Sequence, residues 1–175
     1  MLLEAAGLAF EIVESGIDEI RHDGESGADF ALRMAREKAL NVSVRLPDAL
    51  VLAADTIVEC DGHILGKPIN AAEARSMLQT LSGNIHTVVT AFAIASAGAI
   101  SDNFPVLSRV TFRPLSVEEI ADYVASGEPF DKAGAYAIQG LASKFVDSVN
   151  GCYFNVMGLP LSLVYRHWKA LTAAE

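Results

Sequence analysis

A carboxylate stands inside the apolar run Val51-Leu-Ala-Ala-Asp-Thr-Ile-Val58, where burial is costly unless a cation or hydrogen-bond donors meet it. Asp55 therefore points into a cleft, where a cation or donors could meet it, or strand alternation turns it toward solvent or a structural partner. Two lysines carry the complementary charge. Lys67 sits between Gly66, which permits close approach, and Pro68, which stiffens the turn, so its ammonium could meet a phosphate. The plain alternative is a solvated turn lysine, and the segment lacks the G-x-x-x-x-G-K-[ST] spacing of a P-loop. Lys38 lies in an alanine-rich helical stretch, where a snorkelling surface lysine is the ordinary expectation. Asp18-Glu19, after Gly16-Ile17, offers hard oxygens that suit magnesium, although acidic loops are common.

Gln139, in Ala135-Tyr-Ala-Ile-Gln-Gly140, has an amide that both donates and accepts, as does the imide edge of uracil or thymine. A loop amide more often caps backbone groups. Ser82-Gly83 with His86 offers a hydroxyl and an imidazole, but no third residue or nucleophile-elbow pattern supports a nucleophile and base. His86 is expected to be structural or to line a cleft. Cys60 and Cys152 form no C-x-x-C pair and have no histidine at zinc spacing, so both are expected as reduced thiols.

These side chains belong to a chain of 175 residues, 51% of them hydrophobic, with 22 acidic against 13 basic residues and a formal charge of -9. The length suits one compact domain or two small lobes, with one domain as the default. The acidity argues against a surface that grips a nucleic-acid backbone, while a small anion could still bind through placed lysines or a divalent cation. No apolar run is long enough to span a bilayer, and the first residues lack the features of a signal peptide. A soluble, cytoplasmic protein is expected.

The elements that must position the candidates follow from punctuation and period. Leu2 to Ala6 reads as the tail of a helix stopped by Gly7, Phe10 and Ile12 as a short strand, and Arg21 to Gly27 as a loop. A helix is expected from Asp29 to about Leu46, capped by Ser26 or Asp29. Ala49 to Cys60 is a buried strand, Asp61-Gly62 a hairpin turn, and Ile64-Leu65 its return. Asn70-Ala-Ala-Glu73 and Ser116-x-x-Glu119 open helices that close at Gly83 and Gly127. His86 to Ala97 and Val106 to Phe112 are strands joined by a Gly98 turn and a polar loop. Lys144 to Val149 is a strand, Asn150-Gly151 a turn, a helix follows Pro160, and Thr172-Ala-Ala-Glu175 is a frayed end. This alternation predicts an α/β protein with a mixed, curved sheet flanked by helices.

Taken in order, Ala54-Asp55-Thr56, Gly66-Lys67-Pro68, Leu81-Ser-Gly83 with His86 and Thr90, Lys132-Ala-Gly-Ala-Tyr-Ala-Ile-Gln-Gly140 and Asn155-Val-Met-Gly-Leu-Pro-Leu161 resemble the Maf family of nucleotide pyrophosphatases. Several motifs in one order are far more specific than any alone. The resemblance implies one Maf-like domain over residues 1–175, with an elongated α/β fold similar to the inosine triphosphate pyrophosphatases. It also implies two lobes about a central cleft, commonly in a homodimer. The implied reaction is attack of water on a nucleoside triphosphate with release of pyrophosphate. On this resemblance Asp55 is the general base, Glu19 an acidic metal or water ligand, and Lys38 and Lys67 contact phosphate. Magnesium or manganese, held by Glu19 and Asp55, is the implied cofactor. Thr56 and Gln139 match the subgroup acting on dTTP and UTP rather than on 7-methyl-GTP.

Members of the family begin with a strand and a Ser-x-Ser-Pro-Arg-Arg loop, for which these residues hold no counterpart, so the domain is expected to be N-terminally incomplete. That departure leaves a second expectation, a nucleotide- or protein-binding regulator without turnover, in a family also linked to restraint of septum formation. A phosphomonoester hydrolase ranks third.

Overall fold

The computed structural model describes residues 2–173. It begins with α1 (Leu2–Ala5), closed by Gly7 at φ 72°. Residues 8–22 form no strand, with Phe10 and Ile12 exposed. The expected short strand is thus corrected: alternation of apolar residues makes a strand only where a ladder partner takes up the backbone groups.

The helix α2 (Gly27–Arg45) follows, capped by Ser26, whose hydroxyl accepts from the Asp29 amide. Phe30, Ala31, Met34, Ala35, Ala39 and Val42 are buried on it, a stripe at three- and four-residue spacing. Lys38 falls in that stripe, which is why it is not the surface lysine that composition suggests. Strand β1 (Val51–Cys60) turns at Asp61 and Gly62, both left-handed at φ 50° and 77°, into β2 (His63–Leu65). This is the backbone that an Asp-Gly hairpin requires. Helix α3 (Ala71–Leu81) is capped by Asn70 and stopped near Gly83.

Strands β3 (Ile85–Ser96) and β4 (Ala99–Phe112) are joined by the tight turn Ala97-Gly98. The polar loop expected after Gly98 is therefore strand: Ser101, Asp102 and Asn103 have low strand propensity, but propensity yields to the hairpin that encloses them. Helix α4 (Val117–Ala125) carries the capping box of Ser116 and Glu119. Single 3-10 turns lead to β5 (Val146–Asn150), then α5 (Tyr153–Val156) and α6 (Leu161–Thr172). The expected frayed end lies partly outside the described residues. The strand order is β2-β1-β3-β4-β5. Cys60 faces His63 in the first hairpin, and Val110 faces Val149 at the other edge, both antiparallel. The protein is thus a mixed α/β fold with a five-stranded antiparallel sheet flanked by helices. No described helix is long and apolar enough to cross a membrane.

Two compact units divide the chain. The first comprises Met1–Asp55, Thr90–Val106 and Gly158–Glu175. In it α6 packs Val164, Leu163, Trp168 and Leu171 against Phe92, Ile94, Leu52 and Ala54. The second comprises Thr56–Val89 and Leu107–Met157. Its core joins Met77, Leu78 and Leu81 of α3 to Ile120, Tyr123 and Val124 of α4, with Val58, Val110, Phe112 and Phe145. Phe112, Tyr136 and His86 meet there edge to face, with centroids 4.8 to 5.3 Å apart, an arrangement that aromatic quadrupoles favour.

Candidate active site

Asp55 is buried in β1, and the Lys38 ammonium offsets part of the cost of placing a carboxylate there. Lys38 Nζ donates to Asp55 Oδ1 and to Glu19 Oε1, each at 2.6 Å. Charge-assisted bonds of that length are among the strong ones. Burial alone would lower the Lys38 ammonium, but its bonds to Asp55 and Glu19 outweigh that and hold it above its ordinary value. It stays charged at neutral pH. The structure thus brings together three residues 17 and 19 positions apart in sequence: Asp55 from a strand, Lys38 from a helix and Glu19 from an irregular segment.

The segment needs anchors to hold Glu19 over the helix, and arginines on α2 supply them. Arg33 donates to the Ile20 carbonyl at 2.9 Å and binds both oxygens of Glu25 at 2.7 and 2.8 Å. One helical stretch further on, Arg45 donates to the Glu14 carbonyl at 2.6 Å. The Arg33 guanidinium holds the Glu25 carboxyl down to about 2. Glu19 therefore hangs between two pinned points. Sequence reasoning missed Arg33 and Arg45, because nothing in their local spacing distinguishes a backbone clamp from a solvated helix face. Beside Lys38, and in the same unit, lies a cavity of about 490 Å³ walled by Phe10, Val13, Val42 and Val51 to Ala54, within the range small ligands occupy.

Two carboxylates converging on one cation are hard oxygen donors of the kind magnesium and manganese take, and in that respect the residues fit the implied metal. Among the described residues no cluster of three or more His, Cys, Asp or Glu could hold a metal by itself. Water or substrate oxygens would have to complete the coordination.

The second unit holds the other candidates. Thr56 follows Asp55 on β1, half-buried, and strand alternation sends its side chain to the opposite face. Lys67 is exposed in the turn after β2, and its charge helps to hold the Asp131 carboxyl below its ordinary value, after the larger effect of Lys132 at 2.7 Å. That turn is tied to the Gln139 segment, since the Gly134 amide donates to the Gly66 carbonyl at 3.0 Å. Gly134 has φ 69°, and a Cβ there would come within 2.9 Å of Val58 Cγ2. Gln139 is exposed at the corner of a turn closed by the Gly140 amide on the Ala137 carbonyl at 3.0 Å, while its neighbour Ile138 is buried in the core.

His86 lies against Phe112 and Tyr136 in the core of the second unit. It is buried, with Nε2 2.8 Å from the Tyr136 hydroxyl, and burial pulls its pKa down to about 4. Ser82 is occupied elsewhere, its hydroxyl accepting from the Leu115 amide at 2.7 Å. Asn155 is fully buried and donates to the Val88 carbonyl and to Ser108 Oγ at 3.1 and 3.0 Å. The Asn155-to-Leu161 motif, legible in sequence only as a turn, contains a clip that joins α5 to β3 and β4.

Fold and site define an α/β protein in which an ion cluster about the buried Asp55 is built from a strand, a helix and a clamped loop. The profile of the family described as Maf-like protein matches residues 1–171. The dTTP/UTP pyrophosphatase of Syntrophomonas wolfei is 50% identical over 165 residues, covering 94% of this chain and 87% of that protein. That of Salmonella typhimurium is 49% identical over 174 residues, covering 97% and 88%. That of Geobacter metallireducens is 45% identical over 175 residues, covering 98% and 90%. The chain belongs to the Maf family.

Proposed function

We propose that the protein hydrolyses dTTP and UTP to the monophosphate and pyrophosphate. The carrying observation is the buried Asp55 carboxylate sharing the Lys38 ammonium with Glu19, in a chain about half identical to proteins named for that activity. Asp55 takes the proton of a water that attacks the α-phosphorus, and the bond from that phosphorus to the bridging oxygen breaks. Lys38 and Lys67 neutralise charge on the triphosphate and on the departing pyrophosphate. A triphosphate competes with Asp55 for the Lys38 ammonium, and a carboxylate released from its cation is the stronger base. Magnesium or manganese held by Glu19 and Asp55 would supply further charge neutralisation along the triphosphate. Gln139 meets the imide edge of the pyrimidine, and Thr56 follows the catalytic carboxylate along β1 with its side chain on the other face.

The test is pyrophosphate release from dTTP and UTP with magnesium or manganese, against an Asp55→Asn variant. The variant keeps the size of the side chain and removes its basicity, so kcat is expected to fall by about 10²–10³-fold. Activity within a few-fold of the parent would remove Asp55 from the reaction. A reducing, cytoplasmic setting, with which the free thiols at Cys60 and Cys152 agree, and the homodimer that the family resemblance implies belong to the same reading. Sedimentation equilibrium should give twice 18.6 kDa, and the single value would remove the dimer.

A further inference from the structure

The turn that presents Gln139 is held at both ends by two side chains that take no part in the proposed chemistry. Tyr123, on α4, is buried with its ring edge to face on Phe145 at 5.3 Å. Its hydroxyl accepts from the Ala137 amide at 3.1 Å and donates to Glu128 Oε1 at 2.9 Å. Glu128 Oε2 in turn accepts from the Leu141 amide at 3.0 Å. The backbone is therefore gripped two residues before Gln139 and two residues after it. The hydroxyl and the carboxylate making those grips are bonded to each other.

Gly140 shows how closely the brace is fitted. A Cβ at that position would lie 2.4 Å from both Glu128 oxygens, so any side chain there would push the carboxylate off the Leu141 amide. The backbone at Gly140 is not left-handed, hence the glycine is explained by space rather than by conformation. Ile138 is sunk in the core between the two grips, which leaves Gln139 as the residue of the turn that faces outward. A primary amide that can turn over fits the uracil edge in one orientation and the cytosine edge in the other. The backbone beneath it sets the distance and angle at which the amide meets the base, and the strength of the favoured pairing depends on both.

We infer that Tyr123 and Glu128 are positioning residues for pyrimidine selectivity, acting through the backbone on either side of Gln139. The inference rests on the proposed role of Gln139 in reading the base. Tyr123→Phe deletes the hydroxyl and keeps the buried ring. Glu128→Ala deletes both acceptors, whereas Glu128→Gln retains one oxygen and should recover part of the loss.

The experiment compares kcat/KM for UTP and CTP in the parent, Tyr123→Phe, Glu128→Ala, Glu128→Gln and Gln139→Ala, with thermal melts to show that each is folded. Hydrogen exchange at the Ala137 and Leu141 amides gives a readout independent of turnover. The expected result is a UTP-to-CTP ratio that falls about tenfold in Tyr123→Phe and Glu128→Ala, the size of one lost hydrogen bond. The fall should come mainly through a raised KM for UTP, be smaller in Glu128→Gln, and accompany faster exchange at the two amides. A collapsed ratio in Gln139→Ala with the parent ratio kept in Tyr123→Phe and Glu128→Ala overturns the brace and leaves base reading intact. The parent ratio kept in Gln139→Ala overturns the base reading and the brace with it. Unchanged amide exchange in folded Tyr123→Phe also overturns the brace.

Discussion

Lys38 shows how a single side chain acquires a role from its place in a pattern. On composition it is one lysine in an alanine-rich helix, but it lies three and four residues from the buried Ala35, Met34 and Val42, on the face that meets the core. A charge on that face requires partners, and Asp55 and Glu19 are those partners. Asp55 was legible as an anomaly in an apolar strand; Glu19 had only an acidic loop to recommend it, because its position depends on Arg33 and Arg45, far away in sequence. At the same scale His86 makes a prediction about pH. Its folded pKa is about 4 against an ordinary 6.5, so between those values the unfolded chain binds more protons than the folded one. Stability is then complete above pH 6.5 and declines as pH falls toward 4, by an amount on the order of 3 kcal/mol. Denaturant unfolding of the parent and of His86→Gln across this window should show a shallower pH slope in the variant. Parallel slopes would mean that the His86 ring does not resist protonation.

Among the elements, helices and hairpins were the most legible, since caps and left-handed turns are written in a few adjacent residues. Ser26, Asn70 and Ser116 each accept the amide three residues on, and Gly7, Gly83 and Gly127 all have positive φ. The stretch at Phe10 to Ile12 and the first half of β4 were misread for one reason: whether a segment is strand depends on a neighbour, and a neighbour has no local signature. The segment from Lys132 to Gly140 was legible as a motif but not as a braced turn, because Tyr123, Glu128 and Gly66 hold it from elsewhere. Gly134 allows its packing to be tested against a control. Both Gly134 and Gly127 are left-handed, but a Cβ at Gly127 meets nothing within 4 Å, whereas one at Gly134 meets Val58 at 2.9 Å. Gly127→Ala is expected to cost about 1 kcal/mol for backbone conformation alone, and Gly134→Ala about 2–4 kcal/mol once the Val58 collision is added. Equal losses in chemical denaturation would show that the segment yields to the added methyl group.

For the molecule as a whole, a formal charge of -9 repels anions in general, so in the proposed reaction the triphosphate is met by placed cations such as Lys38 rather than by the overall field. The family was legible because several short motifs recur in one order along the chain, and the profile over residues 1–171 agrees with that order. In the proposed reaction water attacks the α-phosphorus of a pyrimidine triphosphate. Hydrolysis of UTP in ¹⁸O-water, with products separated and weighed by mass spectrometry, tests it most directly. UMP and pyrophosphate are expected in equal amounts, with the label in UMP. Label in the pyrophosphate, or UDP and inorganic phosphate as products, would contradict it.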